Sequence, residues 1–216
     1  MGLPAQVWDY YAFTREILAG KLTCSEKMDH AEKSRQCGRK LAKDLRDLYR
    51  EETVEELANL IGVSVDYIQS NSGNAYTEFA RYYHPGRVTI YIDNANNTDM
   101  LIEQEGLREI IGAVKTADVL LAHELFHFME FSQPDIYTMR KHILLWKLGP
   151  FKNESTIACL EEIGAMEFCK QILGLDYSPY VFDVLMLNAC SPQRAKLVYD
   201  AIIASANQVM KGGTLS

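Results

Sequence analysis

Apolar residues recur three or four apart through residues 25–50, at Met28, Ala31, Cys37, Leu41, Leu45 and Leu48, with Lys, Arg, Asp and Glu between them. That period is one face of an α-helix, so the segment reads as a long amphipathic helix. An earlier helix over residues 4–19 ends near Gly20. Thr53 and Glu56 form a capping-box pair, and Gly62 sits where a helix stops, which predicts a short helix between them. The period then changes. Asn71, Ser72, Gly73 and Asn74 mark a loop, and Tyr76 to Tyr83 is aromatic-rich and strand-like. Val88, Ile90 and Ile92 alternate along residues 88–93. The turn residues His84-Pro85-Gly86-Arg87 lie between, so a hairpin is predicted.

After a loop over Asn94 to Thr98, the helical period returns at Asp99, with helices over roughly 99–114 and 117–131. Ser132 to Asp135 breaks the pattern. Residues 136–148 fit helix and strand equally, and Gly149-Pro150 breaks the chain again. A helix from about 154 to 173 ends near Gly174, and Ser191-Pro192 opens the last one. The expected fold class is α+β, mainly helical, with a small antiparallel sheet packed beside helix 117–131. One domain is expected, with an N-terminal helical extension (1–52), a core (53–175) and C-terminal helices (176–216).

Composition narrows the function classes. The 216 residues are 48% hydrophobic and 24% charged, enough to bury a sizeable core and to exclude wholesale disorder. No apolar run approaches the roughly 18 residues of a membrane helix, so no membrane partner is expected. The early apolar residues are interrupted by Asp9, Arg15 and Glu16 without a basic segment before them, unlike a secretory signal. Gly2 is not followed by the Ser or Thr of a myristoylation site, since position 6 is Gln6. Five cysteines without a CxxC pair fit reduced, buried thiols, and a cytoplasmic location is expected. Net charge is −7, and the excess of acid lies in residues 51–216, which argues against a nucleic-acid surface over most of the chain.

The informative chemistry is His123-Glu124-Leu125-Phe126-His127, an H-E-x-x-H pattern inside a helical segment. Residues four apart lie about 40° apart around an α-helix, so both imidazoles can reach one metal ion. Glu124 lies beside them as the candidate general base for a water bound to that ion. A chance match is expected about once in a hundred chains of this composition. Leu120, Leu121, Ala122, Leu125, Phe126 and Phe128 make the helix apolar, and buried histidines and a glutamate need partners. Hydrogen-bonded core histidines are the plainer alternative. Zinc, one ion per chain, is the cofactor favoured by an N/O ligand set, with other divalent ions open.

A catalytic zinc usually takes a third protein ligand. The metzincin pattern fails, because Glu130 and Gln133 stand at its Gly and His positions. Glu162 in the downstream run Glu161-Glu162-Ile163-Gly164-Ala165 is the leading choice, since Gly164 and Ala165 let that helix pack closely on helix 117–131. Glu161 and Glu130 remain alternatives.

H-E-L-F-H followed by Glu162, Ala165 and Phe168 resembles the ImmA/IrrE family of small gluzincin metallopeptidases, whose second motif reads E-x-x-A-N-x-F-A. The sequence departs from it at Phe126, Met166 and Cys169. The resemblance spans roughly residues 53–175, with the hairpin of residues 76–93 where that family keeps its small sheet. It implies a zinc-dependent metallopeptidase that cuts a peptide bond of a protein or peptide substrate. Family members often act on a repressor, so a repressor-like regulator is an implied partner. A substrate segment is expected to add as a strand beside residues 88–93. The oxyanion-stabilising residue that gluzincins commonly carry has five candidates here, His84, Tyr82, Tyr83, Tyr91 and His142, while His30 reads as solvated.

Two rival classes stay in view. A non-catalytic zinc protein that binds a partner would hold metal yet not depend on Glu124. The run from Glu56 to Ile68 resembles part of a helix-turn-helix, but its surroundings are acidic (Glu51, Glu52, Glu55, Asp66), so DNA is not the expected partner.

Overall fold

The computed structural model describes residues 2–50, 52–70, 77–133 and 135–212. The predicted loop at Asn71–Asn74 and Tyr76 lie outside them. Helix α1 (Ala5–Thr14) buries Val7, Trp8, Tyr11, Ala12 and Phe13, and stops earlier than its pattern implied. Helix α2 (Cys24–Leu48) starts at a capping box in which Thr23 accepts from the Glu26 backbone and Glu26 accepts from the Thr23 backbone. Its buried face carries Ala31, Leu41, Ala42 and Leu45. Helix α3 (Val54–Leu60) has the predicted Thr53–Glu56 box.

The small sheet is mixed rather than purely antiparallel. Strand β1 (Ser64–Ile68) runs parallel to β3 (Arg87–Tyr91), which pairs antiparallel with β2 (Ala80–Tyr83), giving the order β1-β3-β2. The predicted hairpin is therefore present. The second helix that a helix-turn-helix reading needs is replaced by β1, where Val65 and Tyr67 match residues of β3. β-Branched Val65 and Ile68 suit a strand, and Gly62 in a positive-φ conformation (φ 85°) turns the chain out of α3 into it.

The strand expected to reach Asp93 instead ends at Tyr91, and α4 (Ile92–Gln104) begins at once. Asn94, Ala95, Thr98 and Ile102 are its buried residues, a helical spacing that the polar text Asn94 to Thr98 disguised as a loop. Asn94 donates its side-chain amide to the Glu78 carbonyl at 2.7 Å, tying this start to the chain before β2. A single turn, α5 (Arg108–Ile111), follows, then α6 (Thr116–Phe131).

Residues 136–148 contain both elements that their pattern allowed: a turn of helix, α7 (Tyr137–Arg140), and strand β4 (His142–Leu148). β4 pairs antiparallel with β5 (Phe151–Thr156). The expected helix from 154 thus begins later, as α8 (Cys159–Ile172), because residues 151–156 are taken into the hairpin. Helices α9 (Val181–Cys190) and α10 (Pro192–Gly212) close the chain.

Helix α8 is the centre of the packing. Its Ala165, Phe168 and Cys169 join the main core with Leu121, Leu125 and Phe126 of α6, Leu41 and Leu45 of α2, and Val88 and Ile90 of β3. Its Leu160 and Ile163 join a second cluster with Trp8, Tyr11 and Phe13 of α1 and Ile202 and Ala206 of α10. Glycine lets α6 and α2 approach α8 closely. A Cβ on Gly164 would stand 2.6 Å from Phe126 Cζ, and one on Gly38 of α2 would collide with the Gly164 carbonyl. The small residues expected to bring α8 onto α6 do so, and Gly38 does the same from the other side. No helix among the described residues is long and apolar enough to cross a membrane.

Candidate metal centre

Helix α6 is apolar on most of its circumference, so its polar residues stand out by position. Its first turn is held by Asp99 of α4, which accepts from the Thr116 backbone N–H at 3.1 Å and from the Thr116 hydroxyl at 2.9 Å. Two turns later His123 and His127 project from one face, partly exposed, while Leu125 and Phe126 are buried.

Their Nε2 atoms point at each other, 3.3 Å apart. His123 Nε2 is 3.4 Å from Glu162 Oε2, in the first turn of α8. Two ligand atoms at about 2.05 Å from a tetrahedral zinc ion are separated by about 3.3 Å. Both separations match that edge, and the three residues form a group able to hold a metal ion. Without an ion, two imidazole nitrogens so close need a proton or a cation between them, which is the fit expected of a ligand set.

The far nitrogen of His127 is also engaged. Its Nδ1 lies 3.4 Å from Glu130 Oε2, and Glu130 is 1% exposed and accepts a hydrogen bond from the Thr138 hydroxyl of α7. Glu130 therefore sits behind the ligand rather than beside it. A carboxylate there would orient the ring and direct the Nε2 lone pair toward an ion held by the group. Burial opposes protonation of His127, but the Glu130, Glu162 and Glu124 carboxylates outweigh it and raise its pKa to about 9.

Of the three carboxylates considered as third ligand, Glu162 is the one grouped with both histidines. Glu161 lies with His127 and Glu130 instead, and burial followed by Glu130 raises its pKa. Burial also pushes Glu162 upward, yet the charges of His123, His127 and Arg15 overcome this and lower it.

A cleft of about 310 Å³ opens over His123, Glu124 and Glu162. Residues 77–81 form one wall, and Phe182, Asp183 and Met186 of α9 contribute to another. The strand along this cleft is β2, whose outer edge has no partner strand among the described residues. The expected docking edge at residues 88–93 is corrected accordingly, because β3 is paired on both sides.

None of the five oxyanion candidates lines the cleft. Tyr82 packs on Phe128 and Phe131, His84 on Phe131, and Tyr83 lies under Arg81 and Arg87. His142 Nδ1 bonds the Arg140 carbonyl, and Tyr91 reaches the cleft only indirectly, donating to Glu78 at 2.6 Å. His30 is buried rather than solvated and its ring bonds the Tyr137 hydroxyl. Cys159 and Cys169 are buried as expected, but Cys24 and Cys190 are exposed.

The cleft contains residues that no local pattern marked. Arg15, just past the end of α1, lines it together with Glu78, Arg81 and Asp183. The next residue, Glu16, accepts from the Cys159 backbone N–H at 3.1 Å and so caps α8, the helix that carries Glu162. The first residues of the chain are thus part of the site's construction, which their separation from the histidines in sequence conceals. No family model, curated protein or solved structure was found to match this chain.

Proposed function

We propose that this chain is a zinc-dependent peptidase that hydrolyses a peptide bond of a protein or peptide substrate. The observation that carries the reading is the group of His123, His127 and Glu162, with His123 at tetrahedral-edge distance from both partners, beside a cleft that Glu124 also lines. These three residues would hold the ion. When bound, zinc supplies Lewis acidity where the substrate carbonyl lies.

The protein's own groups do the rest. Glu124 takes a proton from the water that attacks the carbonyl carbon and delivers it to the amide nitrogen as the C–N bond breaks. Glu130 keeps His127 in the tautomer that leaves Nε2 free. The outer edge of β2 offers backbone groups to an extended substrate segment, holding it along the cleft. The N/O donor set favours zinc, and the resemblance to ImmA/IrrE peptidases points the same way, including toward a repressor-like substrate.

The test pairs metal content with proteolysis. Tag-free protein should carry about one zinc per chain, as measured by mass spectrometry. Incubated with native and denatured candidate proteins, it should cut, and Glu124→Gln should keep its zinc but lose at least about a hundredfold in rate. Zinc without any cleavage dependent on Glu124 would replace this reading with a non-catalytic zinc protein that binds a partner.

A further inference from the structure

Arg15 is held in an unusual way for a surface arginine. Its Nη1 donates to Asp183 Oδ2 at 3.1 Å, and the same oxygen accepts from the Tyr11 hydroxyl at 2.9 Å. Its guanidinium carbon lies 4.6 Å from the centre of the Tyr11 ring and 5.5 Å from that of Tyr180. Tyr11 and Tyr180 are themselves packed edge to face, with centroids 5.5 Å apart. The side chain of Asp183 is 14% exposed and that of Arg15 is 45% exposed. The guanidinium is therefore fixed on one side by a mostly buried carboxylate and two rings, and open on the other. Neither Nε nor Nη2 has a hydrogen-bond or ion-pair partner among the described residues. Arg15 lines the cleft that holds His123, Glu124 and Glu162.

A planar fork of N–H groups, fixed in place beside a hydrolytic centre, is suited to a carboxylate. Fixing it beforehand reduces the side-chain entropy lost on binding. The remaining arginine in the cleft, Arg81, is differently placed, since it pairs with Glu78 and leans on Tyr83. On the reading of this centre as a peptidase site, we infer that Arg15 is a substrate-anchoring residue. It binds a carboxylate of the peptide close to the scissile bond, so the preferred substrate is acidic there. That carboxylate is either the peptide's C-terminus or an Asp or Glu side chain.

Three peptide hydroxamates of equal length separate these cases. One ends in a free carboxylate, one has an amidated end and an Asp side chain, and one is amidated with Asn in place of Asp. Affinities are measured by calorimetry on zinc-loaded native protein and on Arg15→Gln, with zinc content recorded for both. At least one carboxylate probe should bind native protein roughly tenfold or more tightly than the neutral probe, and that advantage should vanish in Arg15→Gln at unchanged zinc content. Which probe gains identifies the source of the carboxylate. Equal binding of all three to native protein overturns the anchor while leaving the metal centre intact. Native protein that takes up no zinc overturns the peptidase reading itself, and the anchor with it. The native comparison needs no variant, so it stands even if Arg15→Gln fails to fold.

Discussion

At the scale of single residues, the candidate centre separates into groups with different expected failures. His123→Ala, His127→Ala and Glu162→Ala should each lose zinc, because each removes a ligand from a three-residue set. Glu130→Ala should retain some, with affinity lowered about 10- to 100-fold, since it removes only the carboxylate behind His127. Zinc titration against a competing chelator distinguishes the two classes. The pH dependence follows from His127, whose pKa is about 9 in the metal-free protein. Zinc must displace that proton, so apparent affinity should rise about tenfold per pH unit from neutrality toward pH 9 and then level off. Glu130→Ala should shift the levelling-off point downward, because the nearest carboxylate that favours the proton is gone.

The decisive contact between elements is that of α6 with α8, because it brings Glu162 to the two histidines. Gly164 faces Phe126 of α6 while its carbonyl meets Gly38 of α2. Gly164→Ala must displace a buried ring, and a loss of about 1–3 kcal/mol is expected from such overpacking. Gly38→Ala should cost more, because the obstacle is a backbone carbonyl that cannot rotate aside. Urea denaturation of the two variants checks the order. Greater stability of Gly38→Ala than of Gly164→Ala would contradict this account of the packing. Gly164 and Ala165 were legible as a close-packing signal in the sequence. Gly38 was not, because a glycine in an amphipathic helix carries no mark of the partner it meets.

For the whole molecule, metal and proton should act on stability in opposite directions as pH rises. The folded pKa of His127 lies above its unfolded value of about 6.5. In the metal-free protein its contribution is therefore fully present below pH about 6.5 and is lost as pH rises toward 9. On the proposed zinc reading the ion binds the folded state, so zinc at 100 times its Kd should add about 2.7 kcal/mol, raising Tm by roughly 5–10 °C. At one fixed zinc concentration the increment should grow with pH over the interval in which metal-free stability falls, because Kd falls there. Calorimetric scans with and without zinc at pH 6.5 and 8.5 measure both trends, and His123→Ala should remove the zinc increment.

The periodic elements were legible because their cause is local. The faces of α2 and α6, the Thr53–Glu56 box and the β2–β3 hairpin follow from spacing and turn chemistry within a few residues. So does the His123–Glu124–His127 face, since one helical turn places both imidazoles together whatever surrounds them. Where neighbours compete for a segment, local pattern was not enough. Residues 92–98 are helix, with Asn94 bonded to the distant Glu78 carbonyl, and residues 151–156 are strand paired with β4. Choosing Glu162 over Glu161 and Glu130 required the angle between α8 and α6, which depends on Gly164, Phe126 and Gly38 together. Arg15 entered the cleft only because α1 packs on α8 and α10 and Asp183 of α9 receives its guanidinium. A helix specifies its own face within a few residues. Which face meets which is set by packing among residues far apart in the chain, and that only the tertiary structure decided.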